Sequence, residues 1–299
     1  MSVVVVGSVA IDSIETEKAK VEKSLGGAAL YFAHAASYFT DVNLVGVVGT
    51  DFDVNEISYL NDRRVNLDGL EVVEGKTFRW GGRYHKNMNQ RDTLFTELNV
   101  FGNFQPKIPD QYKSSDYVFL ANIHPDLQLD VLEQVKNPKC VILDTMNFWI
   151  SGERASLDKL LKKVDILIIN DEEAKELSGE ESLLKAQEKI KAMGPKTLVI
   201  KKGEHGALLF TENGIFASPA FPLENVEDPT GAGDTFAGGF VGYLAKTNDV
   251  SDENLRKAVI YGSTLASFVC EDFSFNRLKD LEEKEITERL DAFREITRF

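Results

Sequence analysis

The segment "DPTGAGDTFAGGF", residues 228–240, combines a proline, two glycines around an alanine, and an aspartate that begins an apolar run. Gly231, Ala232 and Gly233 leave their backbone N–H groups unshielded at the point where a helix begins. These amides and the positive end of the helix dipole favour an anion. We expect the same environment to lower the pKa of Asp234, so that its carboxylate can accept a proton from a hydroxyl. Alone, the pattern is more typical of an ordinary helix start after a glycine-rich turn.

The sequence on the N-terminal side of this segment alternates short apolar runs with amphipathic helical stretches. The runs include "VVVVG", "NLVGVVG", "DYVFLAN", "KCVILDT", "DILIIND" and "KTLVIKKG". Continuous Val, Ile and Leu are typical of strands buried on both faces. The intervening stretches, such as "ESLLKAQEKIKAMG", have helical spacing and end in glycine. The alternation predicts an α/β fold with a doubly wound, mostly parallel sheet.

Two segments, residues 12–25 and 72–104, interrupt this alternation. The first is charged and follows the first strand. The second is rich in aromatic residues, has a turn at "KNMNQ", and alternates side chains so that Leu94, Leu98 and Val100 share one face. We expect the two segments to form a small β lid, with an edge extension of the main sheet as the alternative. The same apolar strands could pair two subunits into a homodimer.

Composition and charge exclude several classes of protein. The chain of 299 residues is 43% hydrophobic and 27% charged, as in globular proteins, and its net charge of -14 argues against a nucleic-acid partner. "MSVVVVGSVAID" predicts a strand rather than a signal peptide, and no apolar run approaches the roughly 20 residues of a membrane span. Cys140 and Cys270 form no disulfide or metal pattern. We therefore expect a cytoplasmic protein with buried free thiols.

Polar residues follow several of the predicted strands. Asp12 comes after the first strand, Asp144 and Asn147 after "CVIL", and Asn170 after "ILII". In an open α/β sheet, ligands bind beyond the carboxyl ends of the strands. We expect these side chains to meet Asp234 at one edge of the sheet.

The segment 228–240 closely resembles the C-terminal signature of the ribokinase-like carbohydrate kinases, or PfkB family. Four further stretches resemble elements of that family in the same order: "LGGAALYFAHAASYF", "VGVVGTD", "NDEE" and "KKGEHGALLF". The resemblance covers nearly the whole chain. It implies a single ribokinase-like domain of residues 1–299 with a β lid. It also implies a kinase that transfers the γ-phosphoryl group of ATP to a hydroxyl of a small sugar or sugar-like polyol.

The resemblance implies a role for each matching residue. Asp234 matches the catalytic base, and Gly231, Ala232 and Gly233 match the anion hole for the transferring phosphoryl group. The positions that match nucleotide contacts are Thr230, Lys201, Gly203 and Asn170. The family's Asn-x-x-Glu element, here Asn170 and Glu173, would hold Mg²⁺ through water, which suits a cation that retains its waters. Without the resemblance, "NDEE" is typical of a capped, acid-rich helix start.

On the acceptor side, the matching residues are Asp12, Gly26 and Gly27. A carboxylate can accept two hydroxyl hydrogens, which would orient a polyol. Without the resemblance, Asp12 would be a turn residue. Where many relatives have an asparagine that contacts the sugar, this chain has "AALYFA" with Tyr31. The resemblance therefore does not imply that the acceptor is held as ribose is in ribokinase.

The acceptor stays open among a sugar, a sugar phosphate and a nucleoside. The second lid segment contains cationic and aromatic residues that could grip a phosphate or stack on a base, or could be solvated: Arg79, Arg83, Arg91, Trp80 and Tyr84. The alternatives to a sugar kinase are a nucleoside kinase on the same fold and a non-catalytic nucleotide- or sugar-binding regulator. Whether a monovalent cation binds near Asp228 and the segment "CEDFS" also stays open.

Overall fold

The computed structural model describes residues 1–298. Its strands are β1 (Ser2–Val6), β2 (Ala10–Glu15), β3 (Lys20–Gly26), β4 (Asp41–Gly49), β5 (Val65–Val73), β6 (Phe78–Tyr84), β7 (Arg91–Glu97), β8 (Tyr117–Leu120), β9 (Cys140–Asp144), β10 (Ile166–Asn170), β11 (Thr197–Lys201), β12 (Ala207–Thr211) and β13 (Gly214–Ser218).

The α-helices lie mainly in the second half of the chain. They are α1 (Ala28–Ser37), α2 (Pro125–Gln134), α3 (Asn147–Gly152), α4 (Arg154–Leu161), α5 (Asp171–Ser178), α6 (Leu183–Ala192), α7 (Ala232–Thr247), α8 (Asp252–Val269), α9 (Asn276–Asp280) and α10 (Glu283–Ile296). Short 3₁₀ segments span Val54–Arg63, Asn99–Asn103, Asp110–Tyr112 and Gly203–His205.

A nine-stranded sheet forms the centre of the protein. Its strand order is β13-β12-β11-β10-β9-β8-β1-β4-β5. All neighbouring pairs from β11 to β5 are parallel, and β12 and β13 extend one edge antiparallel. The strand order reverses on either side of β1. The α/β, doubly wound, mostly parallel fold predicted from the alternation is confirmed.

The valines of β1 show why the continuous apolar runs form central strands. Val3 and Val5 join one hydrophobic core, whereas Val4 and Val6 join a second core on the other face of the sheet. All four are fully buried. Burial of one such side chain stabilises the fold by about 1.5–3 kcal/mol. A polar residue at any of these positions would therefore face an apolar layer.

Helices cover both faces of this sheet. Residues of α1, α7, α8, α9 and α10 contribute to the first core, and residues of α2 to α6 contribute to the second. Helix α7 packs closely between α1 and α8: a Cβ atom on Gly238 would lie 2.4 Å from the Phe32 carbonyl oxygen, and one on Gly239 would lie 3.0 Å from the Cα of Gly262. The glycines after "GAGDTFA" thus fix where α7 begins relative to the sheet.

A second, four-stranded sheet lies within and around the two predicted lid segments. Its order is β3-β2-β6-β7, in which only β2 and β6 are parallel. The expectation that alternation continues to Val100 is wrong, because β7 ends at Glu97 and a 3₁₀ turn follows. A bulge between Gly81 and Gly82 also shifts the pairing with β7.

The two cysteines are free. Cys140 is buried as expected, whereas Cys270 is only half-buried. Within residues 1–298, none of the helices is both long and apolar enough to cross a membrane.

Candidate active site

Helix α7 begins without a side-chain cap. Gly231 occupies the N-cap position with φ 76, and no side chain bonds the first turn. The left-handed backbone favours glycine, and a Cβ atom there would lie 2.4 Å from the Tyr31 ring. Ala232 N–H donates to the Pro229 carbonyl (3.1 Å). Among the described residues, the N–H groups of Gly231 and Gly233 have no acceptor, so two of the three amides of the expected anion hole are free.

A half-buried lysine lies beside this open start. Lys201, at the end of β11, has its Nζ atom 3.1 Å from the position of a Cβ atom on Gly233. The same Nζ atom lies 3.9 Å from Asp144 Oδ1. Although burial disfavours the charged form, Asp144 and Glu173 raise the pKa of Lys201 above its usual value. The helix start therefore has an ammonium group and free amides on the same side.

The carboxyl group of Asp234 lies in the first turn of α7. Burial, followed by the charge of Asp144, raises its pKa to about 7, against the opposing effects of Lys201 and Arg91. The expected lowering of the Asp234 pKa is wrong, because loss of solvation outweighs the helix dipole. A group with a pKa near the operating pH can both accept and release a proton, which is the property of an efficient general base.

The start of α5 is built differently, because its two polar residues bond each other's backbone. Asn170 Oδ1 accepts from Glu173 N–H (2.8 Å), and Glu173 Oε2 accepts from Asn170 N–H (2.7 Å). The other carboxylate oxygen of Glu173, Oε1, takes no part in these two hydrogen bonds. Burial and the neighbouring Asp144 raise the pKa of Glu173 to about 7. The local geometry is thus a capping box that still offers one buried carboxylate oxygen to the cluster.

The acceptor-side residues predicted from the sequence lie together on lid strands β2 and β3 and at the start of α1. Asp12, on β2, is buried, and burial followed by the charges of Asp228 and Asp234 raises its pKa to about 8. A Cβ atom on Gly26, across the β2–β3 pair, would lie 2.0 Å from Asp12 Oδ2. Gly27 is the N-cap residue of α1. The glycine pair therefore leaves room for the Asp12 carboxyl and begins the helix that carries Tyr31.

Two buried polar atoms in this region have no partner within residues 1–298. They are the Tyr31 hydroxyl and Asp228 Oδ2. The other oxygen of Asp228 accepts from Thr230 N–H (2.8 Å). Burial, with the charges of Asp12 and Asp228, raises the pKa of Tyr31 well above its usual value. An unpaired buried hydroxyl or carboxylate oxygen costs free energy, so both atoms favour a ligand at this position.

The lid contacts both sides of the cleft. Thr230 Oγ1 donates to the hydroxyl of Tyr84 on β6 (3.1 Å). Thr230, which was predicted to contact the nucleotide, is therefore hydrogen-bonded to the lid. At the hairpin tip, Asn89 Nδ2 donates to Glu204 Oε1 (2.7 Å) beside Gly203. No pattern in the sequence connects residues 89 and 204, and this contact was not predicted.

The two polar residues that follow "CVIL" have different outcomes at the sheet edge. Asp144 had no assigned role, yet it lies at the centre of the charged cluster with Lys201. Its position directly after "CVIL" was the available signal. Asn147 does not join the cluster, because its side-chain amide donates to Glu176 on α5.

Comparison with known proteins identifies the family. The family model described as "pfkB family carbohydrate kinase" matches residues 1–279. A cytidine kinase of Thermococcus kodakarensis is 31% identical over 249 residues, which cover 81% of this chain and 87% of that protein.

Solved structures share the fold. The nucleoside kinase of Methanocaldococcus jannaschii has a TM-score of 0.75 at 22% identity, covering 97% of this chain and 98% of its own. Ribokinase of Arabidopsis thaliana, complexed with ribose and ATP, has a TM-score of 0.77 at 22% identity, covering 96% of this chain and 98% of its own. The chain belongs to the pfkB family of carbohydrate kinases and is a phosphotransferase with an alcohol acceptor.

Proposed function

We propose that this protein transfers the γ-phosphoryl group of ATP to a hydroxyl of a small, uncharged, sugar-like acceptor, with Asp234 as the general base. One observation carries the proposal: a half-buried carboxyl, whose pKa is raised to about 7 by loss of solvation and by Asp144, lies in the first turn of a helix whose start is uncapped. Lys201 lies beside the same turn. A base, an anion site and a cation are thus within one cluster.

The transfer follows from these positions. Asp12 accepts hydrogen bonds from acceptor hydroxyls and orients one of them towards Asp234. Asp234 removes the proton as the hydroxyl oxygen forms a bond to the γ-phosphorus, and the bond to the β,γ-bridging oxygen breaks to release ADP. The free amides of Gly231 and Gly233, with Lys201, stabilise charge on the transferring group.

The charged cluster also fits Mg²⁺, although no three His, Cys, Asp or Glu side chains within residues 1–298 form a direct ligand set. Loss of solvation raises the pKa of Asp144, Glu173 and Asp234, and the charge of Asp144 raises that of Glu173 and Asp234 further. Hard oxygen ligands with retained waters suit Mg²⁺. The ion would supply charge neutralisation on the ATP phosphates, with Asn170 and Glu173 holding its waters.

The acceptor is proposed to be uncharged because two of the three lid arginines are already paired with carboxylates. Arg79 bonds Asp51 (2.9 Å), and Arg83 bonds Glu15 (2.8 Å). The buried acceptor-side groups, Asp12 among them, are carboxyls. Among the described residues, Arg91 is the one unpaired lid arginine and is assigned below to the γ-phosphoryl group of ATP, so a phosphate on the acceptor would meet these carboxyls without a second free arginine.

Acceptor-dependent release of ADP from ATP tests this proposal. The panel contains neutral sugars, nucleosides and sugar phosphates at equal concentrations. We expect turnover with a neutral acceptor and little with sugar phosphates. ATP binding without transfer to any acceptor would instead support a non-catalytic regulator, and preference for a sugar phosphate would contradict the neutral acceptor.

A nucleoside is the second candidate acceptor, favoured by the position of Trp80. Trp80 pairs with Asp12 across β2 and β6, so both side chains lie on one face of the lid sheet. Its six-membered ring lies over Gly82, where a Cβ atom would come within 2.1 Å of it. An indole held this way can stack on a base.

Two adjacent glycine substitutions test the nucleoside candidate. Gly82→Ala displaces the Trp80 ring, whereas the matched Gly81→Ala displaces Phe95 on the other face of β6. We expect Gly82→Ala to raise the KM for nucleosides about tenfold, the scale of one lost stacking contact. Equal KM changes in both variants would remove Trp80 from the acceptor site.

A monovalent cation fits beside Asp228. Asp228 is fully buried and its Oδ2 atom is orphaned, and Ser274 and Asp272 are among the groups that influence its pKa. We propose that K⁺ compensates this carboxylate and expect K⁺ to raise the melting temperature more than equal concentrations of tetramethylammonium.

The lid is proposed to pair two copies of the chain. Every residue of the edge strand β7 is exposed, including Leu94 and Phe95. Unpaired edge strands favour pairing with another chain. We expect a dimer in sedimentation and a monomer for a Leu94→Lys, Phe95→Lys variant.

Free thiols and use of ATP are consistent with the cytoplasm as the place of reaction.

A further inference from the structure

Strands β6 and β7 bring Arg91 next to a residue that contacts the start of α7. Arg91 is the cross-strand partner of Tyr84. Side chains of directly paired residues lie on the same face of a sheet. Because the Tyr84 hydroxyl accepts from Thr230 Oγ1 (3.1 Å), the face that carries Arg91 is turned towards the segment 228–234.

The tip of the same hairpin contacts the other side of the cleft. Asn89, two residues before Arg91, donates to Glu204 (2.7 Å). A Cβ atom on Gly203 would lie 2.9 Å from Asn89 Oδ1. Arg91 therefore lies between the loop that contains Gly203 and the loop that contains Thr230. Both loops carry residues that match nucleotide contacts.

Arg91 also differs from the other lid arginines in its partners. Within residues 1–298, Arg79 and Arg83 form ion pairs with carboxylates, whereas Arg91 forms none. Its guanidinium carbon lies 5.5 Å from the centre of the Trp80 ring, which is a loose cation–π contact. Its charge favours the ionised forms of Asp234 and Glu173. An unpaired guanidinium that faces the site has the geometry to bind phosphate oxygens.

We infer that Arg91 is a further catalytic residue, which contacts the γ-phosphoryl group of ATP from the lid side, opposite Lys201 and Gly233. This inference rests on the proposed function. The guanidinium donates hydrogen bonds to the oxygens of the transferring group and exchanges no proton. The lid would thereby supply charge stabilisation as well as cover, because the cation arrives only when the hairpin is in place.

The test compares Arg91→Met with Arg83→Met, which removes an arginine on the same hairpin that is 57% exposed and paired with Glu15. The first readout is equilibrium binding of AMP-PNP and of ADP, measured with Mg²⁺ and without acceptor. Loss of a charge-assisted contact to the γ-phosphate should weaken AMP-PNP binding about tenfold to a hundredfold and leave ADP binding unchanged. Arg83→Met should alter neither.

The second readout is turnover. We expect Arg91→Met to lower kcat at least about tenfold at wild-type acceptor KM, with partial recovery in Arg91→Lys. Equal losses for AMP-PNP and ADP, or unchanged AMP-PNP binding, would overturn the inference. A rise in acceptor KM alone would assign Arg91 to the acceptor instead. If wild type transfers phosphate to no acceptor, the proposed function fails, yet the two binding constants still decide the role of Arg91.

Discussion

Helices α5 and α7 both begin at the carboxyl edge of the sheet, yet their first turns are built in opposite ways. At α5, Asn170 and Glu173 bond each other's backbone N–H groups and close the helix start. At α7, Gly231 provides no side chain, and the amides stay open. An acidic residue occupies the third helical position in both, Glu173 in α5 and Asp234 in α7. The same residue class thus serves as a cap in one helix and is left free for chemistry in the other.

The difference indicates which start can hold a phosphate. A capped start has already satisfied its orphan amides, whereas an open start has amides for an anion. The free energy that α7 forgoes without a cap, about 1 kcal/mol, is offset when a ligand binds.

The largest loss of kcat is expected when the open start of α7 is blocked. Gly231→Ala strains a backbone at φ 76 and places a Cβ atom 2.4 Å from the Tyr31 ring, so the free amides shift. We expect kcat to fall by about a hundredfold, as for loss of an oxyanion donor. Gly179→Ala is the matched control, because Gly179 has φ 68 at the other end of α5 with open space around it. It should cost stability of about 1 kcal/mol and leave kcat unchanged. Similar kcat losses in both would attribute the effect to strain alone.

The pH dependence separates activity from stability. As pH falls through about 7, Asp234 gains a proton and kcat/KM should fall tenfold per unit. Stability should move the other way: the folded pKa values of Asp234, Glu173 and Asp12 are raised, so the folded state binds protons between about pH 4 and 8 that the unfolded chain does not. We expect a higher melting temperature at pH 5.5 than at pH 8. Activity that is constant down to pH 5 would contradict the assigned base.

The smallest effects are expected at the closed start. Asn170→Ala removes one bond of the capping box and should lower the free energy of unfolding by about 1 kcal/mol, measured by urea denaturation. Glu173→Gln keeps an acceptor oxygen for Asn170 N–H but removes the charge. It should preserve stability and raise the Mg²⁺ concentration for half-maximal activity severalfold. If Glu173→Gln leaves the Mg²⁺ requirement unchanged, Glu173 is a cap and nothing more.

The sequence was sufficient for the features that depend on local pattern. Continuous Val and Ile runs such as Val3–Val6 predicted buried parallel strands, because only a sheet covered on both faces accommodates them. The glycine-rich approach to α7 predicted an open helix start for the same local reason. The capping box at Asn170 was the ordinary alternative for "NDEE", and its geometry is present.

The features that depend on distant residues could not be predicted. The pKa of Asp234 rises because other elements of the fold remove solvent from its carboxyl group and place Asp144 near it. The three lid arginines look alike in sequence, and only the strand register distinguishes Arg91 from the paired Arg79 and Arg83. These properties arise from long-range packing, which has no local signature in the chain.

The most direct test of the central claim is turnover by Asp234→Asn, with ATP binding and melting temperature measured on the same sample. Asparagine keeps the size of aspartate but cannot take up the proton of the acceptor hydroxyl. We predict that kcat falls at least about a hundredfold, while the ATP Kd changes less than about threefold and the fold is retained. Turnover within a fewfold of wild type would contradict the account.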